Sequence, residues 1–188
     1  MEHRTGLSTK RIVLTSLMAA LTVAGSALRI TIPVDIAGTT SFHLGNIMCA
    51  LSGILLGPWM GGLAAGMGSA IYDMMNPLYI SEAWITFLTK GAYGLAVGLI
   101  VLRTQGKWSY LRATIATVAG ALTYAALYLS KGFFYDGLLM KGLPWEDAIW
   151  AVVDKLPATA FNATVAIVFA PILAISIRSG LKRSHLLP

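Results

Sequence analysis

The sequence predicts an all-α integral membrane protein, a compact bundle of six transmembrane helices with the N- and C-termini in the cytosol. Three observations carry that expectation. Only 12% of the residues are charged and 56% are hydrophobic, against about 25% charged in an ordinary soluble domain. The mean hydropathy of +0.72 is hard to reconcile with a water-facing surface. Between Asp35 and Asp73, 37 consecutive residues carry no charge. As one straight helix they would reach about 55 Å at 1.5 Å per residue, nearly twice the ~30 Å of a hydrocarbon core. That stretch must fold back on itself, and its one strong breaker is Gly57-Pro58, near the middle.

The first span, residues 12–28, follows a basic lead with Arg4, Lys10 and Arg11. A basic start before an apolar run also describes a signal peptide, but the small-x-small cleavage signal is poor and the rest of the chain is itself apolar. Within this span Ser16, Ala20 and Ala24 recur at i, i+4, i+8. Such a smooth stripe either packs on a neighbouring helix of the same chain or docks a partner. Residues 29–41, RITIPVDIAGTTS, read as a loop.

Spans two and three, residues 42–57 and 58–75, form the hairpin about Gly57-Pro58. Small residues at Gly62, Gly66 and Ala70, and again at Gly61, Ala65 and Ser69, let helix backbones approach closely in lipid. A polar link over 73–82 leads to the fourth span, residues 83–102, interrupted by Lys90. A basic loop with Lys107 and Trp108 precedes the fifth, residues 113–129, where Tyr124 and Tyr128 lie one turn apart. Residues 131–147 read as a mixed loop. The sixth span, 148–177, holds Asp154, Lys155, Pro157, Asn162 and Pro171. It is longer than a crossing needs, so a tilt, a kink or an interfacial first turn is expected.

The whole chain, residues 1–188, reads as one membrane domain with no room for a nucleotide-binding module. The formal charge of +6 is scattered over loops rather than clustered, which argues against nucleic acid. It fits topology instead. One side carries nine Lys and Arg (Arg4, Lys10, Arg11, Arg103, Lys107, Arg112, Arg178, Lys182, Arg183) and the other three (Arg29, Lys131, Lys141). The richer side is cytosolic. Trp59 and Trp108 then fall at the inner interface, and Trp84, Trp145 and Trp150 near the outer one.

Sorted by depth, the unusual side chains collect in the outer half. His43 and Asn46 end span two, Tyr72 and Asp73 end span three, Lys90 lies two turns below the start of span four, and Tyr124 and Tyr128 sit in span five. Asp154 and Lys155 fall about two turns into span six, with Asn162 near its middle. A channel or proton relay needs polar groups across the full depth. Polar groups in one half describe a cup, open outside and sealed beneath. For Lys90 the alternative is snorkelling, although the reach is long. For Asn162 it is a bond between helices, and for the two tyrosines the core.

Catalysis finds little support. The histidines are His3, His43 and His185, two of them near the ends of the sequence, and no H-E-x-x-H or P-loop motif occurs. No metal set and no cofactor motif is present, and the single Cys49 permits no disulfide framework within the chain.

The segments HLGN (43–46), LLGPWMGGLAAGMGSAIYD (55–73) and TFLTKGAYGL (86–95) resemble the substrate-binding S components of energy-coupling factor (ECF) vitamin transporters. The resemblance extends over roughly residues 11–177 and includes Leu156-Pro157 and Asn162. It implies a multi-pass protein of the cell membrane that captures a vitamin or related micronutrient near the outer face. A transmembrane T component and two ABC-type ATPases, supplied by other chains, would power uptake, so this chain would be no enzyme. It further implies that a small-residue pattern on the first helix docks the T component, matched here by Ala20 and Ala24 with Ser16 a turn before. The segments 29–41, 73–82 and 131–147 would help close the pocket. The binding candidates are then Lys90, Asp73, Tyr72, Trp84, Tyr124, Tyr128, Asn46, His43, Lys155 and Asn162. These residues leave the solute open among pantothenate, pyridoxine-like, pyrimidine and other heterocyclic compounds. The alternative is a stand-alone small secondary transporter or channel, which would call for inverted repeats or polar residues in the inner half.

Overall fold

The computed structural model describes residues 9–34, 36, 38–103 and 109–183. Arg4, Lys107 and Trp108, which enter the topology reading, lie outside the described residues, as do the side chains of Lys182 and Arg183.

Helix α1 (Thr9–Ala27) leads into a two-stranded antiparallel sheet, β1 (Arg29–Val34) and β2 (Gly38–His43). Arg29 pairs with His43 at its base, and Val34 with Gly38 at its tip. Then follow α2 (Gly45–Met74), a short 3-10 turn at Ile80–Glu82, α3 (Ala83–Arg103) and α4 (Tyr110–Ser130). Helix α4 runs on into a π-helical segment, Lys131–Met140, before α5 (Trp145–Val153) and α6 (Leu156–Arg183). Among the described residues, five helical segments are long and apolar enough to cross a membrane, with residues 45–74 counted as one.

Helix α2 is not straight. Gly57 adopts φ 78°, ψ −173°, a left-handed backbone that glycine tolerates and a side-chain-bearing residue does not. Pro58 follows it and cannot donate to the preceding turn. The two halves consequently lie against each other: Cys49 Sγ is 3.6 Å from Ser69 Oγ, whereas one continuous helix would put residues twenty apart about 30 Å apart. The fold-back expected from the uncharged stretch is therefore present.

The small-residue rows serve close approach. A Cβ built on Gly62 would stand 2.9 Å from the carbonyl oxygen of Gly91 on α3, and one on Gly66 2.7 Å from that of Phe87. Backbone thus packs on backbone where van der Waals contact is the main attraction available in lipid. Helix α1 packs on α2 through Thr15, Met18, Ala19, Thr22, Gly25 and Ser26, all buried. Ser16, Ala20 and Ala24 are exposed on its opposite face, so the stripe does not pack within this chain. The exposed tryptophans Trp59, Trp84, Trp145 and Trp150 all face outward.

Four expectations are corrected. Residues 29–41 are largely a β-hairpin rather than a loop, because the two halves satisfy each other's backbone in an antiparallel ladder that side chains of α6 and the α5–α6 break anchor. The second span starts at Gly45, since Phe42 and His43 belong to β2. Residues 131–140 continue α4 as a π-helix. Residues 148–177 are not one helix: α5 ends at Val153 and α6 begins at Leu156. Pro157 sits in the first turn of α6, where its missing N–H costs no helical bond. Asp154 and Lys155 therefore occupy a break between helices rather than a helix interior.

Candidate functional site

Among the described residues, the charged side chains buried to below one-tenth exposure are Asp73, Lys90 and Lys155, and all three line one cavity of about 180 Å³. It lies at the hairpin end of the bundle. An ammonium is costly to bury unless hydrogen-bonded or otherwise compensated, and Lys90 is compensated twice. Its Nζ donates to Asn46 Oδ1 on α2 and stands 3.7 Å from the ring centroid of Tyr124 on α4, a cation–π distance. Gly62 and Gly66 of α2, where a Cβ would fall 2.9 Å from the Gly91 carbonyl oxygen and 2.7 Å from that of Phe87, let α3 lie close to α2 beside that bond. Tyr124 is stacked between Tyr93, at 5.8 Å, and Tyr128, at 5.6 Å. Lys155 lies 5.5 Å over Tyr128. Two lysines thus flank a column of three tyrosines.

A second wall is the β-hairpin. Asn162 of α6 accepts from the His43 backbone N–H at 2.9 Å and donates to the Ser41 carbonyl at 2.8 Å. At the tip, the Ile36 N–H donates to Asp154 at 3.2 Å and Lys141 Nζ donates to the Ile36 carbonyl at 3.0 Å. His43 Nδ1 accepts from the Gly45 N–H at 3.1 Å. Burial first, then the nearby charges of Lys90 and Arg29, hold the imidazole well below its ordinary value. His43 is therefore neutral near pH 7.

A third wall is ionic. Lys131 bridges Glu82 at 2.6 Å and Asp136 at 2.8 Å, and Lys155 reaches Asp136 at 2.8 Å. Lys131 and Asp136 are five apart, the hydrogen-bonding spacing of a π-helix, which brings them onto one face of the segment. Arg29 closes the rim, its guanidinium 4.5 Å from the ring of Tyr72 and 4.8 Å from that of Tyr79.

Of the ten binding candidates, His43, Asp73, Lys90, Tyr124, Tyr128, Lys155 and Asn162 line the cavity. Asn46 sits behind it, bonded to Lys90. Tyr72 lies outside, under Arg29. Trp84 is 59% exposed on the outer surface, edge-on to Tyr135. The sequence reading missed Arg29, the Thr39–Ser41 strand, Glu82, Lys131 and Asp136, all of which line the cavity. Each lies in one of the segments 29–41, 73–82 and 131–147 that the resemblance implied would help close the pocket, but within them only Asp73 was singled out for the site.

A family model described as "ECF-type riboflavin transporter, S component" matches residues 6–179 of the chain. An uncharacterised protein of Pyrococcus woesei is 35% identical over 118 residues, 63% of this chain and 74% of that protein. A UPF0397 protein of Streptococcus gordonii is 34% identical over 96 residues, 51% of this chain and 49% of its own length.

Proposed function

Since the chain belongs to the family of ECF-type transporter S components, whose model spans residues 6–179, we propose that it captures a vitamin or related small micronutrient at the outer face of the cell membrane for ATP-driven uptake. The observation that carries this reading is that Asp73, Lys90 and Lys155, the deeply buried charges among the described residues, meet in one cavity. Such a concave site with a few convergent polar groups is the ordinary form of a small-molecule binding site.

Its orientation follows from charge. Arg29, Lys131 and Lys141, the three basic residues of the Lys- and Arg-poor side, stand at the hairpin end beside the cavity. By the positive-inside rule that end is outside and both termini are cytosolic. The break at Gly57 supports counting residues 45–74 as two crossings, hence six in all. Riboflavin is the solute in the family's description and the first to test. A T component and two ATPases from other chains supply the energy, and the exposed Ser16, Ala20 and Ala24 face of α1 is where the T component docks.

The test is uptake of labelled vitamins by cells making this chain with and without T and ATPase subunits. Uptake only with the partners supports the S-component reading; equal uptake without them favours a stand-alone carrier. Lys90→Met should lower affinity for the transported solute at least tenfold. Unchanged affinity would remove Lys90 from the site.

A further inference from the structure

Resting on the substrate-binding reading, we propose that the cavity selects a single-ring, hydrogen-bonding solute carrying a net negative charge, and excludes a fused three-ring vitamin with a sugar-alcohol chain such as riboflavin. Size is the first ground. The cavity measures about 180 Å³. A cavity of about 150 Å³ accommodates one benzene molecule, whereas drug-sized ligands occupy roughly 300–1,000 Å³. One substituted ring fills this space.

The walls are fastened at that size. On one side Asp136 ties the π-helical segment to α6 through Lys155. On another, Asn162 clamps β2 through two hydrogen bonds of 2.9 and 2.8 Å. Beneath, Tyr124 is held between Tyr93 and Tyr128. Admitting a tricycle would separate at least one of these pairs, leaving buried polar groups unsatisfied or uncovering an ion pair.

Charge is the second ground. Four cations and three carboxylates line the cavity, Arg29, Lys90, Lys131 and Lys155 against Asp73, Glu82 and Asp136, a surplus of one positive charge (4 − 3). Lys131 and Lys155 are engaged by Glu82 and Asp136. Among the described residues, Arg29 and Lys90 form no salt bridge within 4.0 Å. Asp73 lies within electrostatic reach of both. In a low-dielectric site that surplus is best met by an anion. The Thr39, Ser41 and Thr159 residues on the wall supply hydroxyls for the ring's polar edge.

The experiment is native mass spectrometry of the full chain purified alone in detergent, first for molecules retained from the cell, then after adding riboflavin or nicotinate, a single-ring carboxylate, as probes. Retention of a single-ring anion, or tighter binding of nicotinate than of riboflavin, with at least tenfold loss in Arg29→Gln, supports the proposal. Arg29 is on the rim and makes no hydrogen bond to Lys90, so this variant leaves the Lys90 contacts with Asn46 and Tyr124 in place. Riboflavin binding as tightly as any single-ring compound, or retention of a multi-ring or cationic molecule, overturns the proposal and leaves the substrate-binding reading standing. Where nothing survives purification, the solute taken up by cells carrying the partner subunits is judged by the same size and charge. No retained molecule, no probe binding and no partner-dependent uptake together overturn both.

Discussion

Asn162→Leu isolates the clamp that holds the hairpin over the cavity. A two-stranded hairpin is at best marginally stable by itself. Here β2 is fixed to α6 by two side-chain bonds, from the His43 N–H at 2.9 Å and to the Ser41 carbonyl at 2.8 Å. Each contributes about 0.5–1.5 kcal/mol net, so the pair contributes roughly 1–3 kcal/mol against local opening. At 1.4 kcal/mol per factor of ten, amide exchange over residues 38–43 should accelerate about 5- to 150-fold in Asn162→Leu. Hydrogen–deuterium exchange in detergent measures this directly, with the amides of α3 as an internal reference that should not move. Asn162→Asp retains the acceptor for the His43 N–H and loses the donor to Ser41, and should fall between the two. Exchange in the leucine variant within twofold of the parent would refute the clamp and leave the hairpin held by its ladder and tip alone.

Three further outcomes follow from separate contacts. Gly66→Leu places a Cβ 2.7 Å from the Phe87 carbonyl oxygen and should lower the melting temperature in detergent by several degrees, while Gly91→Ala, whose Cβ would meet the Gly62 carbonyl oxygen at an ordinary 3.5 Å, should not; equal melting of the two would refute the backbone contact. His43 has a folded pKa depressed below 6.5, by burial first and then by Lys90 and Arg29. The unfolded chain then binds more protons in the interval between the folded value and about 6.5, so this stability is complete above that pH and is lost as pH falls through the interval. His43→Asn, which puts an amide oxygen where Nδ1 accepts from the Gly45 N–H, should flatten the melting-temperature difference between pH 7.5 and 5.5; an unchanged slope would assign the pH dependence elsewhere. Ala20→Leu, on the exposed face of α1, should abolish co-purification with a T component while leaving solute binding intact, and undiminished co-purification would move the docking face off this stripe.

The legible parts of the sequence were those decided by local chemistry. An uncharged stretch twice the thickness of a membrane has to turn, and Gly57-Pro58 was the place where turning is cheapest. A lysine two turns inside an apolar helix has to be compensated, and Lys90 is. What was not legible depends on partners remote in sequence. The hairpin's ladder is local, β1 on β2, but what fixes it to the bundle is not: Asn162 is 119 residues from His43 and Asp154 is 118 from Ile36. RITIPV, with its proline, therefore read as a loop. The π-helical register of Lys131 and Asp136 makes sense only once Lys155 and Glu82 stand opposite. Trp84 illustrates the converse: an aromatic at the right depth was counted toward the site, but depth does not determine which side of a helix faces inward, and Trp84 faces out.

The cavity's position at one end of the bundle is itself a consequence of where side chains are small. Near Gly57 the helices meet through glycine: Gly53 and Gly61 lie backbone to backbone, a Cβ on Gly61 falling 2.6 Å from the Gly53 Cα. Gly98 on α3 is in contact with Pro58, and Gly94 with the Gly61 carbonyl. With no side chains to space them, these segments pack backbone against backbone. One turn beyond Gly94 the residue is Lys90, with Asn46 and Asp73 on α2 and Tyr124 on α4. Larger polar side chains there hold the helix ends apart, and the hairpin and the π-helical segment close over the gap. The same α2–α3 seam is thus sealed at its glycine end and open at its charged end. The cavity therefore opens toward the hairpin and is floored by the glycine-packed end of the seam, and its depth is set by where along α3 glycine gives way to Lys90.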